Sequence, residues 1–543
     1  MQQNKVGEPK LFKLFGHFSL VLLLGASTLS AESFADFKRS QATSFKKYKD
    51  ERDNEFKKYL AEQWKAYNVF KGTPLYEKPK PKRIAPARPK KIQVAGPKIS
   101  IQVKPVQHVE PKPVQEHVQE RVAPKKIQEI IVLPKPVHIA PKPQKKPEVK
   151  VVTTPKPTVI AKPIVIPLPK VEKPTQRVVK KDINFDFYGT KLGFYIPDGI
   201  KHAKYYPQTQ KGITNFFDSA ATSDYKVLIN EVARIQHVMN LNDWATYLLV
   251  TKISKSVFSN QDDSRLLSWF IFNKLGYAVK VGLAKKHIVL MHYSKKVIYS
   301  TPNYNFGNKK YYVVANYNKG SVGRLYSYKQ NYPGSTKAMD LNMRTLPKFS
   351  SNMKSKKLSF RENGRKYKIG FEYNQNLIDF MATYPQADYE TFFNAPLDER
   401  TYQDIAKDLK KYIDGKRASE AMNFVLHFVQ KSFKYERDDA QFGREKVMFA
   451  QETLYFDKSD CEDRAILYSY LMKELFGVAV VGVKYSDHMA TALYVPMSGD
   501  TVRKGNVKFV VADPTYINAS IGQSMPQYRS VQPESFVLVQ KNN

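Results

Sequence analysis

Between Gly72 and Lys181 lie 21 of the chain's 33 prolines, and this tract constrains the fold more than any other feature. Proline has no backbone donor and fixes φ near −65°, so neither a helix nor a central strand runs through such a stretch. The rest of the tract is Lys, Val and Gln in units such as Glu110 to Val114, Leu133 to Val137 and Thr154 to Thr158. That composition favours polyproline II and cannot bury enough apolar surface to offset the cost of ordering. Residues 72–181 are therefore expected to be a disordered Pro/Lys-rich linker. Any packed core must lie on either side of it.

The net charge of +38 has the same address. Lys71 to Lys181 holds 26 Lys or Arg against 7 Glu, an excess of 26 − 7 = 19, half of the total. The basic linker suits an anionic cell-wall or membrane surface as partner, or a purely solvated spacer. It lacks the aromatic and basic readout elements of a nucleic-acid binder, so no nucleic acid is expected.

Upstream, Lys5, Lys10 and Lys13 precede an apolar run from Leu14 to Leu24 and small residues ending at Ser30 and Ala31. This is the layout of a signal peptide over residues 1–31, cleaved near Glu32 or kept as an anchor, and it implies export to the periplasm or cell envelope. The only cysteine, Cys461, then meets an oxidising compartment in which no intramolecular disulfide can form. Residues 32–71 repeat an aromatic pair every eleven positions: Phe34 and Phe37, Phe45 and Tyr48, Phe56 and Tyr59, Tyr67 and Phe70. Eleven residues close three helical turns, so the rings form one stripe of an amphipathic helix whose partner is unknown. That stripe must be covered by protein, by another copy, or by a membrane surface.

Beyond Asp182 aromatic and apolar residues recover. From Ala418 a helical pattern aligns Ala421, Phe424, Val425, Phe428 and Val429. A second helix is expected from a cap at Ser459 or Asp460 to a stop at Gly477, with Cys461 in its first turn. There, unpaired amides and the helix dipole stabilise a thiolate and can hold an oxyanion. The acidic neighbours Asp460, Glu462 and Asp463 oppose the thiolate, so an imidazolium is needed to offset them. Strands are expected over His488 to Val495 and Val507 to Asp513. Paired as a hairpin, they set His488 directly opposite Asp513. A carboxylate there fixes the imidazole tautomer while the other ring nitrogen reaches Cys461, which gives a catalytic triad.

The segments SDCEDRA (Ser459 to Ala465), DHMATALYV (Asp487 to Val495) and VVADPTY (Val510 to Tyr516) resemble the three core motifs of the transglutaminase-like superfamily. The resemblance spans roughly residues 400 to 530. FGREK at Phe442 to Lys446 and YINASIG at Tyr516 to Gly522 are similar to a bacterial exported subgroup. It implies a papain-like core with nucleophile Cys461, base His488 and orienting Asp513, acting on amide bonds of a protein or peptidoglycan peptide. Gln441 and Tyr516 are further candidates for the oxyanion hole or substrate cleft. No metal site or cofactor is expected, because His and Cys ligand clusters are missing.

Residues 182–344 repeat the pattern in degenerate form. An offset of 200 matches Gly282 with Gly482 and sets Gln261 against Cys461; a one-residue gap then sets His287 against His488 and Thr301 against Asp513. A hairpin turning at Glu362 to Arg365 marks a β-rich extension over 345–400. The expected fold class is thus α+β. A papain-like transglutaminase core (cysteine helix plus antiparallel sheet) occupies 401–543, preceded by the degenerate copy, the linker and the N-terminal helix. The leading function is an exported cysteine hydrolase or acyltransferase; the rival is a non-catalytic envelope scaffold.

Overall fold

The computed structural model describes Thr43 and residues 50–70, 86–87, 181–320 and 322–540. The signal segment, the rings Phe34, Phe37, Phe45 and Tyr48, and the linker apart from 86–87 and Lys181 lie outside the described residues. The protein is α+β, with antiparallel sheets and packed helices. It divides into two compact units. One takes Met1–Thr73, Pro197–Ile229 and Val250–Asp340; the other takes Pro74–Ile196, Asn230–Leu249 and Leu341–Asn543. Among the described residues, no helix is long and apolar enough to cross a membrane.

The first unit is built on six strands: β1 (Trp64–Tyr67), β2 (Val279–Ala284), β3 (His287–Tyr293), β4 (Asn303–Phe306), β5 (Lys309–Tyr312) and β6 (Leu325–Tyr328). Their order is β1-β6-β2-β3-β5-β4, and every pairing is antiparallel. Ala278, Val289, Met291, Tyr304, Phe306, Tyr311, Val313 and Leu325 form a core on this sheet. The helix Gln261–Lys274 precedes β2 and packs against β2 and β3.

Here the N-terminal segment departs from the expected continuous helix. Helical backbone ends at residue 62. Trp64 then pairs with Tyr328 and Tyr67 with Leu325, so β1 extends the sheet beyond β6. Phe70 and Asn303 exchange two backbone bonds of 2.7 Å, which ties the same segment to β4 at the far margin of the sheet. The open edge of β6 offers backbone partners that a sequence period does not reveal, and Trp, Tyr and Val suit a strand as well as they suit a striped helix. Two of the stripe's described rings are covered from within the unit, whereas Phe70 is 50% exposed. Phe56 is buried against Phe217, Trp269, Tyr328 and Tyr332, and the ring of Tyr67 lies 4.2 Å from that of Phe306. Asp53 is buried with it, ion-paired to Lys274 and accepting from the hydroxyls of Tyr225 and Tyr332.

The second unit carries a five-stranded sheet: β7 (Val480–Lys484), β8 (Met489–Leu493), β9 (Thr501–Lys504), β10 (Val507–Ala512) and β11 (Ser535–Leu538). Their order is β11-β7-β8-β10-β9, again antiparallel throughout. With β1 set aside, the first unit reads β6-β2-β3-β5-β4. The two sheets therefore share strand order, direction and a preceding helix. Gly282 and Gly482 occupy like places, each paired with both the next strand and the last. A Cβ would fall 2.8 Å from the Leu325 side chain at Gly282 and 2.9 Å from the Phe393 ring at Gly482, so at both positions a larger residue would force a neighbouring side chain to move.

The hairpin Met353–Glu362 and Arg365–Asn374 turns where its sequence indicates, with Glu362 opposite Arg365. Asn363 and Gly364 both take positive φ, as a two-residue hairpin turn requires. Leu358, Phe360, Ile369 and Phe371 are buried on one face of it, and the Phe360 ring meets Phe424 and Phe428 of the helix Ala418–Ser432.

Candidate active site

Cys461 opens the helix Cys461–Phe476, with Asp460 as N-cap and Gly477 ending it in the left-handed region. Asp463 braces the helix start: the Asp460 N–H donates to its Oδ2 at 3.3 Å, and the Met448 N–H donates to its Oδ1 at 2.8 Å. Arg464, three residues past the cysteine, is wholly buried. It donates to Ser459 Oγ, Gln430 O and Phe433 O, which fixes the start of this helix to the end of Ala418–Ser432. Burial lowers its pKa to about 10, against the pull of Tyr435, Asp460, Asp463 and Cys461.

His488 and Asp513 meet: Nε2 lies 2.8 Å from Asp513 Oδ2. The expected register is off by two residues. Thr491 faces Ala512 and Leu493 faces Val510, so Asp513 stands opposite Ala490 and diagonal to His488. A slip of two keeps both side chains on one face of the sheet, which is why the pair survives it. The connection also holds β9, paired tightly with β10, where an open turn was expected. Asp513 Oδ1 accepts from the amides of Thr515 and Tyr516 at 2.9 and 3.3 Å, leaving Oδ2 for the imidazole. His488 Nδ1 is buried without a hydrogen-bond partner.

The Tyr528 ring stacks on His488 at 4.9 Å, and its hydroxyl donates to Asp487. Burial, then Asp487, Cys461 and Asp513, raise the Tyr528 pKa far above its usual value, so thiol and carboxylate both lie within electrostatic reach of this one phenol. The Cys461 thiol is 1% exposed and donates to Glu462 Oε2 at 3.1 Å. Tyr389 is likewise held protonated by burial and by Glu462, Cys461, Asp460 and Glu445.

Gln441 sits half-buried on the short helix Asp438–Phe442, and no hydrogen bond joins it to Cys461, His488 or Asp513. Tyr516 serves the site through its amide, while its ring packs on the β7–β10 core. The sequence reading missed Gln430, whose Nε2 donates to Asp513 O and Ala519 O and whose Oε1 accepts from Asn518. Gln430 follows Val429 and precedes Lys431 and Ser432, so in the sequence it looks like the ordinary polar end of a helix and carries no clear signal. Two carboxylate groupings were also missed: Asp438 with Asp460 and Asp463, and Asp438 with Glu445 and Glu462, each compact enough to share a metal ion. They offer oxygen donors only, which suits a hard divalent cation.

The first unit does not reproduce the triad. Gln261 opens the helix Gln261–Lys274, but His287 Nδ1 pairs with Asp262 at 3.1 Å and the imidazole is 72% exposed. Asp262 also accepts from the Ile288 amide and Arg265, so this position ties helix to strand. Thr301 is buried, its hydroxyl donating to Tyr299 O, and β3 pairs with β5 rather than with the Thr301 segment. Matching Gly282 with Gly482 sets Val289 against Thr491, and hence His287 against Met489. The β7–β8 turn is two residues longer than the β2–β3 turn, and His488 stands in that extra length.

Comparison with known proteins finds no matching family model, no matching curated protein and no matching solved structure.

Proposed function

We propose that the second unit is a transglutaminase-like cysteine hydrolase or acyltransferase that attacks amide bonds of a protein or peptidoglycan peptide in the cell envelope. The observation that carries this reading is the 2.8 Å bond between His488 Nε2 and Asp513 Oδ2, with Nδ1 left as the buried nitrogen that has no partner. In that tautomer Nε2 donates to the carboxylate and Nδ1 is a base. The Cys461 proton passes to Nδ1 as sulfur bonds to the acyl carbon. The imidazolium returns the proton to the departing amine, and a thioester remains. Water or an amine then attacks the thioester, loses a proton to Nδ1, and releases the thiol. Unpaired amides at the start of the cysteine helix would hold the oxyanion.

One observation favours a non-catalytic scaffold: the thiol is sealed and already hydrogen-bonded to Glu462. Alkylation with iodoacetamide at neutral pH separates the two. For the enzyme, Cys461 labels selectively and His488→Ala abolishes that selectivity, while denatured envelope proteins or cell-wall peptides acquire new termini by mass spectrometry. Sluggish labelling that ignores His488, with no new termini, sinks the catalytic reading.

A further inference from the structure

The hairpin Met353–Glu362 and Arg365–Asn374 has two unlike faces. One is the buried apolar face described above. The other presents Lys357, Ser359 and Arg361 from the first strand and Lys366, Lys368 and Gly370 from the second; the four cations and Ser359 are exposed. Arg361 stands directly opposite Lys366. Lys368 is diagonal to both Arg361 and Lys357. Each cation therefore has another as its neighbour, and like charges across a strand pair are destabilising.

None of the four makes an ion pair or a side-chain hydrogen bond with a described residue. The nearby cations that are paired show the contrast: Lys431 goes to Glu362, Lys356 to Asp457 and Lys411 to Asp408. The acidic groups beside this face are engaged elsewhere: Asp408 and Asp404 accept from the Gly370 and Glu372 amides, Lys411 claims the other oxygen of Asp408, and Glu372, on the same face opposite Ser355, is ion-paired to Arg400. A rigid ribbon thus holds unneutralised charge in a row, at an energetic cost that an anionic partner would relieve.

We infer that this face is a docking surface for an anionic lipid bilayer. The face carries no exposed apolar or aromatic side chain, so it neither inserts into hydrocarbon nor stacks bases. All four cations point the same way, which fits a laterally extended layer of negative headgroups. The site is independent of the triad and needs no catalysis.

The test is sedimentation of the full chain with phosphatidylcholine vesicles, with and without phosphatidylglycerol. Substituting Lys357, Arg361, Lys366 and Lys368 together by Gln lowers partitioning to the anionic vesicles about six-hundredfold, since each basic residue near such a surface contributes about a factor of five. Exchanging the three lysines for Arg retains binding and shows that the ribbon folds. A control carrying Lys142, Lys145, Lys146 and Lys150→Gln removes equal charge from the Pro/Lys tract and loses far less. Equal losses in the two neutralised proteins, or no loss in the ribbon variant, overturn the assignment. So does ribbon-dependent binding of single-stranded DNA or polyphosphate by a chain that ignores the vesicles.

Discussion

Asp513→Asn is the sharpest perturbation of the proposed chemistry, because the structure dictates how the new amide must turn. Oδ1 accepts two backbone N–H groups, from Thr515 at 2.9 Å and Tyr516 at 3.3 Å, so the amide oxygen stays there. The amide NH2 then faces His488 Nε2 and becomes the donor of that bond. Nε2 must accept, and the ring proton moves to Nδ1, the atom meant to take the thiol proton. The side chain keeps its shape and both amide contacts, and a charge-assisted bond becomes a neutral one, so stability falls by about 1 kcal/mol. Turnover falls by about four orders of magnitude, the loss expected when a triad imidazole is locked in the wrong tautomer. The assay is stopped-flow alkylation of Cys461 from pH 5 to 9, with thermal melting to show that the fold persists. In wild type the neutral-pH reactivity reflects transfer to Nδ1; in the variant it drops at least tenfold, toward that of an unassisted thiol. Unchanged alkylation and turnover in a folded Asp513→Asn protein would refute the argument from tautomer to catalysis.

Two further outcomes follow from the surrounding structure. Burial opposes ionisation of Glu362, yet bonds from His427 and Lys431 hold its pKa at about 2 against an ordinary 4.5. The carboxylate therefore stabilises the hairpin fully above pH 4.5 and loses that contribution as pH falls toward 2. With solvent screening at this half-buried site, Glu362→Gln costs about 1–2 kcal/mol at pH 7, and the difference from wild type narrows below pH 4.5. Hydrogen exchange of hairpin amides against pH reads this, and a gap that stays constant down to pH 2 contradicts it. Gln430→Leu strands the Asp513 and Ala519 carbonyls and the Asn518 amide, so the loop after Asp513 loses about 2–4 kcal/mol of protection. Unaltered exchange in that loop would show that Gln430 does not position it.

The ends of the cysteine helix and the turn of the hairpin were legible in the sequence. Asp460 and Gly477 bound the cysteine helix through capping preferences that act within a few residues, and Asn363-Gly364 sets its hairpin through backbone conformations that Asn and Gly tolerate. These are short-range effects, and a chain carries them in its own text.

Tertiary structure decided the rest. The pairing of β8 with β10 runs two residues from the expected register because β9 and its turn take up chain that looked like loop. Trp64–Tyr67 became a strand because β6 had an unpaired edge to offer. Gln430 reaches the loop after Asp513, and residues from 438 to 463 bring their carboxylates together, through packing between segments far apart in the chain. Such contacts depend on which surfaces meet. Residue spacing along one segment constrains its own helix or strand, but the partner across a sheet or between helices is chosen by long-range burial and backbone pairing.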